Sequence, residues 1–352
     1  PVRGGTVSQE DLPRIKRPIT TSEIARLCGL SRSTVSAVLN GKRNVREITR
    51  YRVLKCIREE NYASGIVSKA LVGQLSQMVA VLVPNAGLNP FHVLAFRGIS
   101  EILDAHGYHV LLHNVRSENT SDPGTLASLQ AYRPAGFIVF KGAEGPEGEH
   151  VKAIQDERVP LVFHGKTDKV DAHAITIDDR ACERLITDYV IDKGHRKLAH
   201  LSGPAFSQGA KNRQLGFVES LLAHNMSVSD AIIVEGGETA EQGYHAALEV
   251  LRNPATRPTA LVCFNDIVAL GAYRAAHELS LSIPGDLSIV GFDGTDFADL
   301  LGPPLTTVDI YPEQIGRQAA RLLLRVIKNP SSRTIVEQME AQLREGGSVR
   351  QV

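Results

Sequence analysis

From Met78 onward the chain consists of short, almost unbroken apolar runs separated by amphipathic segments. The runs are VAVLVP, HVLLHN, GFIVF, PLVFH, KLAHLSG, AIIVEG, TALVCFND and LSIVGFDG. Continuous Val, Ile and Leu suits strands buried on both faces, as in a parallel sheet covered by helices. The intervening segments, such as FRGISEILDAHGY and CERLITDYVIDKGH, carry the apolar spacing of helices. Strand and helix therefore alternate, which predicts an open α/β sheet. Eight runs exceed the strands of one such sheet, so two successive lobes are expected. A weak internal echo supports this: FRGISEILDAHGYHVLLHN and QLGFVESLLAHNMSVSDAIIV share a helix, turn and strand order.

At 352 residues the chain has room for two or three domains, each with its own core. No apolar run reaches the ~20 residues of a membrane-spanning helix. The opening PVRGGTVSQEDLPRIKRP has no apolar stretch followed by small residues, so a secretory signal is not expected and the compartment is read as cytoplasmic. Cys28, Cys56, Cys182 and Cys263 form no CxxC pair and are read as core fillers; neither a metal ion nor a cofactor is expected.

The formal net charge of zero hides an asymmetry. Pro1 to Gly73 holds 14 Lys and Arg against 6 Asp and Glu, so a basic first fifth precedes an acidic body. That pattern points to a separate module that meets a polyanion. Within it, Thr20 and Glu23 make a capping box, with Ile24, Ala25 and Cys28 on one face. Gly29 suits a left-handed helix end, and Ser31 can cap a second helix after a short turn. Val35, Val38 and Leu39 form its apolar stripe, which leaves Arg32, Ser33, Ser36, Ala37 and Asn40 on the opposite face. No acid lies between Ser31 and Val45. Short hydroxyls and an Arg fork suit base edges and phosphates, whereas a carboxylate would repel them. Two helices joined by a tight glycine turn predict a helix-turn-helix. A third helix is expected over about Arg46 to Asn61, with Ile48, Val53, Leu54 and Ile57 closing a small core. Next, Ile66, Val67, Ala70, Leu71 and Val72 are apolar in a stretch too short to be a stable helix alone, which suggests a helix formed only against a partner.

Two α/β lobes bind ligands beyond the carboxyl ends of their strands. The polar residues expected there are Asn85 to His92, His164, Ser207 to Arg213, Glu238, Asn265 with Asp266, and Asp293. Each can also be a cap or a loop anchor. No phosphate loop, nucleophile elbow or HExxH motif points to an enzyme.

A helix-turn-helix, an apolar linker helix and two α/β lobes in this order resemble the LacI/GalR family of bacterial transcription regulators. The resemblance runs over roughly Ile19 to Arg350 and rests on TTSEIARLCGLSRSTVSAVLNG, NPF with RGI soon after, DKGHRKLAHLSGP, RQLGF, RPTALVCFNDIVALGAYRAAHELSLSIPGDLSIVGFD and PPLTTV. It implies an N-terminal all-α domain joined by a hinge helix to two doubly wound parallel-sheet lobes of the periplasmic-binding-protein type. The expected division is a disordered tail at 1–17, a DNA-binding domain at 18–63, a hinge helix and linker at 64–76, and an effector-binding domain at 77–352. The lobes of that last domain comprise about 77–175 with 308–338, and about 176–307 with 339–352.

The resemblance further implies a homodimer, away from any membrane, on a roughly palindromic double-stranded operator. It puts base reading on Arg32, Ser33 and Ala37, with Thr20, Ser31, Thr34, Ser36 and Asn40 touching the backbone or neighbouring bases. Lys69 and Leu71 fall on the hinge helix, Leu71 at the position that wedges a minor-groove step. Ala37 is smaller than the family's usual residue, so base readout leans on Arg32. Gly65 replaces the usual Asn or Ser at the hinge start. Effector contact falls on Phe91, Arg213, Asn265 and Asp293, a set able to hold adjacent sugar hydroxyls. His92 replaces a second aromatic. Glu238 stands where an aromatic often stacks, and it either lines the pocket or lies just outside it. The function implied is a repressor controlled by a small polar effector, a sugar or sugar derivative foremost. The alternatives are a purine-corepressed regulator and, against the basic module, a solute-binding protein.

Overall fold

The computed structural model describes residues 20–39, 45–59, 77–84, 89–115, 129, 132–142, 148–165, 171–330 and 333–352. The tail at 1–17, Asn40, Gly65, the hinge segment with Lys69 and Leu71, and 85–88 lie outside the described residues. Internal contacts divide the chain into two units, Pro1–Ser76 and Gln77–Val352.

The first unit contains α1 (Thr21–Leu27), α2 (Arg32–Leu39) and α3 (Glu47–Glu59). The capping box forms as read: the Thr20 N–H donates to Glu23 Oε2 at 2.6 Å, and the Glu23 N–H donates back to Thr20 Oγ1 at 3.3 Å. Gly29, at φ +60°, lets the chain leave α1, while the Leu30 N–H reaches the Ala25 carbonyl at 2.9 Å. Ile24, Ala25, Cys28, Val35, Val38 and Val53 make the core. Ile48 is not part of it, being 72% exposed. Five residues at ~100° each set Ile48 about 140° from Val53, so both cannot face inward. The Leu54 and Ile57 side chains lie outside the described residues.

The second unit contains two six-stranded sheets with the same order. The first is β11-β5-β4-β3-β1-β2, from β1 (Met78–Pro84), β2 (His109–Val115), β3 (Gly136–Phe140), β4 (Leu161–His164), β5 (His173–Thr176) and β11 (Val336–Gln338). The second is β12-β10-β9-β8-β6-β7, from β6 (Leu198–Ser202), β7 (Ile232–Glu235), β8 (Ala260–Cys263), β9 (Ser288–Asp293), β10 (Thr306–Asp309) and β12 (Gln342–Arg344). Every pairing is parallel except β10 with β12. All eight apolar runs became strands. The sequence echo also has its cause: α4 (Pro90–Ala105) leads to β2 and α7 (Gln208–Ala223) leads to β7, equivalent strands of matching sheets.

Among the described residues the further helices are α5 (Glu149–Asp156), α6 (Asp179–Asp192), α8 (Ala240–Leu251), α9 (Asp266–Glu278) and α10 (Pro312–Lys328). α4 packs against α10 backbone to backbone, because a Cβ at Gly98 or Gly316 would collide with the carbonyl of Glu313 or Ala95. α6 pairs with α7, and α8 with α9, on the second sheet. The chain changes sheets after β5, after β10 and after β11, so the crossings follow Thr176, Asp309 and Gln338. The first two lie one and two residues beyond the expected 175 and 307.

Candidate functional site

In the first unit, Ser31 opens α2. Its Oγ accepts the Thr34 N–H at 3.1 Å and lies 2.8 Å from both Ser33 Oγ and Thr34 Oγ1. Val35 and Val38 are buried, which turns Arg32 and Ser33 to solvent and leaves Ser36 and Ala37 half-buried. A positively charged fork and a run of hydroxyls therefore share the exposed side of a short helix that carries no acid in its first turn. Thr20 is occupied in its capping box at the head of α1.

In the second unit the parallel strands deliver polar residues to one end. β9 ends in Asp293, whose backbone is held at φ +115°, a conformation non-glycine residues adopt only where the surroundings enforce it. α7 begins behind the Ser207 cap and carries Arg213 on its buried face. Arg213 Nε donates to Asp179 Oδ1 at 3.1 Å and its Nη1 donates to the Phe264 carbonyl at 2.5 Å. Its Nη2 lies 3.9 Å from Asp293 Oδ1. The guanidinium stacks 3.4 Å from the Phe292 ring centre and 4.7 Å from that of Phe264. Asn265 follows Phe264 and caps α9, accepting the Val268 N–H at 2.9 Å. Its neighbour Asp266 turns away to bind the Thr295 N–H and the hydroxyls of Thr295 and Thr307, so it fastens β9 and β10 together.

The first sheet supplies the facing wall. Phe91 and His92 open α4 behind the Asn89 cap. Phe140 ends β3, and His164 ends β4. The four rings form one cluster with centres 5.0–6.1 Å apart. Burial pulls His92 down to about 4. Burial, with Lys141 and His92 nearby, pulls His164 down to about 3, so both imidazoles are neutral at pH 7.

Among the described residues of the site, two polar links cross between the walls. Lys141 Nζ, just past β3, donates to Asp179 Oδ2 at 3.1 Å, and Asn89 Nδ2 donates to Asp293 Oδ2 at 3.5 Å. Asp179 is buried, which alone would raise its pKa, but Arg213 and Lys141 hold it below the usual carboxylate value. Asp293 lacks so close a cation, and burial pushes it up to about 8 against the pull of Arg213.

Of the residues expected from the sequence, Phe91 and His92 meet in one wall, while Arg213, Asn265 and Asp293 meet in the other. Glu238 is half-buried in the turn ahead of α8, where its N–H donates to Gln242 Oε1 at 3.0 Å. It follows β7, which β6 and β8 separate from β9. At ~4.8 Å per strand that is about 14 Å across the sheet from the root of Asp293. Sequence reasoning missed Lys141 and Asp179. Lys141 follows GFIVF directly, so the strand-end rule could have found it. Asp179 follows β5, a strand with too little apolar character to be seen.

Profiles of known families match both parts of the chain. "Bacterial regulatory proteins, lacI family" matches residues 20–64, and "Periplasmic binding protein-like domain" matches 187–349. The ribose operon repressor of Haemophilus influenzae is 31% identical over 329 residues, which are 93% of this chain and 98% of that protein. The chain belongs to the LacI family. Among solved structures, a lac repressor dimer bound to operator and the anti-inducer ONPF is 25% identical, with a TM-score of 0.78 over 95% of this chain and 100% of that one. A ribose-bound LacI-family regulator from Enterococcus faecium is 25% identical, with a TM-score of 0.72 over 78% of this chain and 99% of that one. This LacI-family member is thus a transcription regulator rather than an enzyme. Among the described residues no helix is long and apolar enough to cross a membrane, and no cluster of His, Cys, Asp and Glu could hold a metal ion.

Proposed function

We propose that this regulator is a cytoplasmic, homodimeric repressor that binds a palindromic operator and is controlled by a sugar or sugar derivative held between its lobes. The observation that carries the effector reading is the Arg213 guanidinium, fixed by Asp179, the Phe264 carbonyl and two aromatic rings, with Asp293 beside it. A cation and a carboxyl fixed side by side present donors and acceptors to adjacent hydroxyls, while Phe91 offers a flat apolar face to a pyranose or furanose ring. The ribose operon repressor and the ribose-bound regulator among its relatives support that class.

On the DNA side, Arg32, Ser33 and Ala37 of α2 would face base edges, with Ser31, Thr34, Ser36 and Asn40 against phosphates or neighbouring bases. Residues 64–76, including Lys69 and Leu71, would link the DNA-binding domain at 18–63 to the effector domain at 77–352. A ligand that changes the angle between lobes would change the separation of the two hinge segments of a dimer, and so their affinity for DNA.

The test is anisotropy of full-length protein on duplexes selected from a random library, with and without sugars. Binding should weaken with salt at a log–log slope of about −0.9 per neutralised phosphate. Arg32→Ala should cost about tenfold or more in affinity for the selected duplex. A sugar should alter that affinity, and Arg213→Ala should abolish its effect. Binding indifferent to both salt and sequence would sink the DNA reading, and a purine acting in place of any sugar would convert the effector reading to the corepressed kind.

A further inference from the structure

The first-lobe wall contains more nitrogen than a neutral sugar requires. His164 is buried and His92 half-buried, and the buried His92 Nδ1 and His164 Nε2 have no hydrogen-bond partner among the described residues. A buried ring nitrogen left unpaired costs free energy in the ligand-free state, and a ligand atom that satisfies it recovers that cost. Lys141 runs beside His164, whose carbonyl accepts its N–H at 2.9 Å. Its stem lies against Gly165, the residue after His164, where a Cβ would come within 3.0 Å of Lys141 Cβ and Cδ. Its Nζ reaches the first turn of α7, 3.2 Å from where a Gly209 Cβ would stand. Both glycines thereby leave a slot that a side chain on either would close. The first turn of α7 carries no acid, so no carboxylate in that turn offsets the positive potential of the helix N-terminus beside Lys141 Nζ.

Charge balance extends the argument. Lys141 and Arg213 share one close carboxylate, Asp179, at 3.1 Å each. Asp293 lies 3.9 Å from Arg213 with no hydrogen bond to it, and burial favours its protonated form at pH 7. Among the described residues the site then holds two cations against one anion, in a region where an unbalanced charge is costly.

We propose that the effector is an anionic sugar, its carboxylate or phosphate group seated against Lys141, His164 and His92 while its hydroxyls meet Arg213 and Asp293. The proposal rests on the reading of the cleft as a sugar site and names the class of sugar. Lys141, His164 and His92 are then the residues that set specificity, whereas Arg213 and Asp293 bind any sugar. Carboxylate and phosphate share this chemistry, and the choice between them depends on how much room Phe91 and Phe140 leave.

The test is calorimetric titration of the full chain with compounds that share a carbon skeleton. One set is D-glucose, D-gluconate, D-glucuronate and D-glucose 6-phosphate; the other is D-ribose, D-ribonate and D-ribose 5-phosphate. An acid or phosphate should bind at least about tenfold more tightly than its neutral parent, the scale of one hydrogen-bonded charge pair. Lys141→Met should reduce that preference to threefold or less, by the same reckoning for a lost charged partner, and Lys141→Arg should restore part of it. Should Lys141→Met fail to fold, His164→Gln tests the same pocket with both nitrogens replaced by a neutral amide. Equal affinity for a neutral sugar and its acid, lost in Arg213→Ala, would overturn the anionic proposal and leave the sugar cleft standing. Heat from no compound of either set would overturn both. Retention of a full anion preference in Lys141→Met and in His164→Gln would also overturn the assignment of the anion to this corner.

Discussion

The two walls of the cleft solve different problems. The second-lobe wall is charged and already satisfied: Arg213 has a carboxylate, a carbonyl and two ring faces before any ligand arrives. The first-lobe wall is aromatic and incomplete, four packed rings with two imidazole nitrogens lacking partners among the described residues. Preorganised donors orient a ligand at little further entropic cost, whereas unsatisfied ones discriminate between ligands, because only the right atom pairs them. The difference suggests that orientation is set by one lobe and selection by the other.

The largest test of that contrast is Arg213→Met. It removes the cation that Asp179 and Asp293 share, leaves Asp179 with Lys141 alone, and should lower stability by about 3–5 kcal/mol in chemical denaturation while abolishing effector binding. A loss below 1 kcal/mol would show that the charged wall is not self-supporting. Phe91→Ala comes next, at about 3 kcal/mol, because it opens a cavity under the ring cluster. Its DNA affinity without effector should remain that of the parent, since α1 to α3 form a separate unit.

The pH profile separates the raised carboxyls from the lowered imidazoles by sign. Asp293 and, one helical turn beyond Asp179, the fully buried Glu183 are both pushed up to about 8 by burial. The folded chain keeps protons that the unfolded chain releases near 4, so this stabilisation is complete at low pH and is lost as pH rises toward 8. His92 and His164, pulled down to about 4 and about 3, act oppositely: their contribution is present above 6.5 and lost as pH falls through the folded values. Between 6.5 and 8 only the carboxyls of this set act, each with a slope of at most about 1.4 kcal/mol per pH unit. Urea midpoints across pH should therefore fall over that window, and Glu183→Gln should flatten the fall. His200, 3.5 Å from Glu183 and pulled down to about 4 by burial, adds to the acid-side loss. The smallest effect is Asn265→Ala, about 1 kcal/mol from the lost α9 cap. A greater loss in ligand affinity than in stability would show that Asn265 serves the ligand as well as the helix.

Much of this architecture is legible in the residues. Eight apolar runs specify eight strands because a strand buried on both faces leaves an uninterrupted hydrophobic signature. β5, β10, β11 and β12 escape that signature for separate reasons. β10 reads TTVD and buries hydroxyls, one of which donates to Asp266; β11 and β12 are three-residue edge strands with exposed positions. In the first unit the caps at Thr20 and Ser31 and the turn at Gly29 could be read locally, since each depends on neighbours within a few residues. Ile48 could not, because its exposure depends on the phase of α3 against a core built from other helices.

The sequence by itself determined the two-part organisation, the paired sheets and most of the polar residues that the strands deliver to one end. It did so because burial, helical period and capping are patterns of local order. Only the tertiary structure decided that Asp179 and not its neighbour Asp178 meets Arg213, Asp178 being used instead to cap α6. It alone brought Lys141 across to the second lobe, and set Asp293 too far from Arg213 for burial to be overcome. Those outcomes turn on distances of a few ångströms between residues separated by tens to hundreds of positions, and a Coulomb or hydrogen-bond energy is fixed by that distance, which no local pattern encodes.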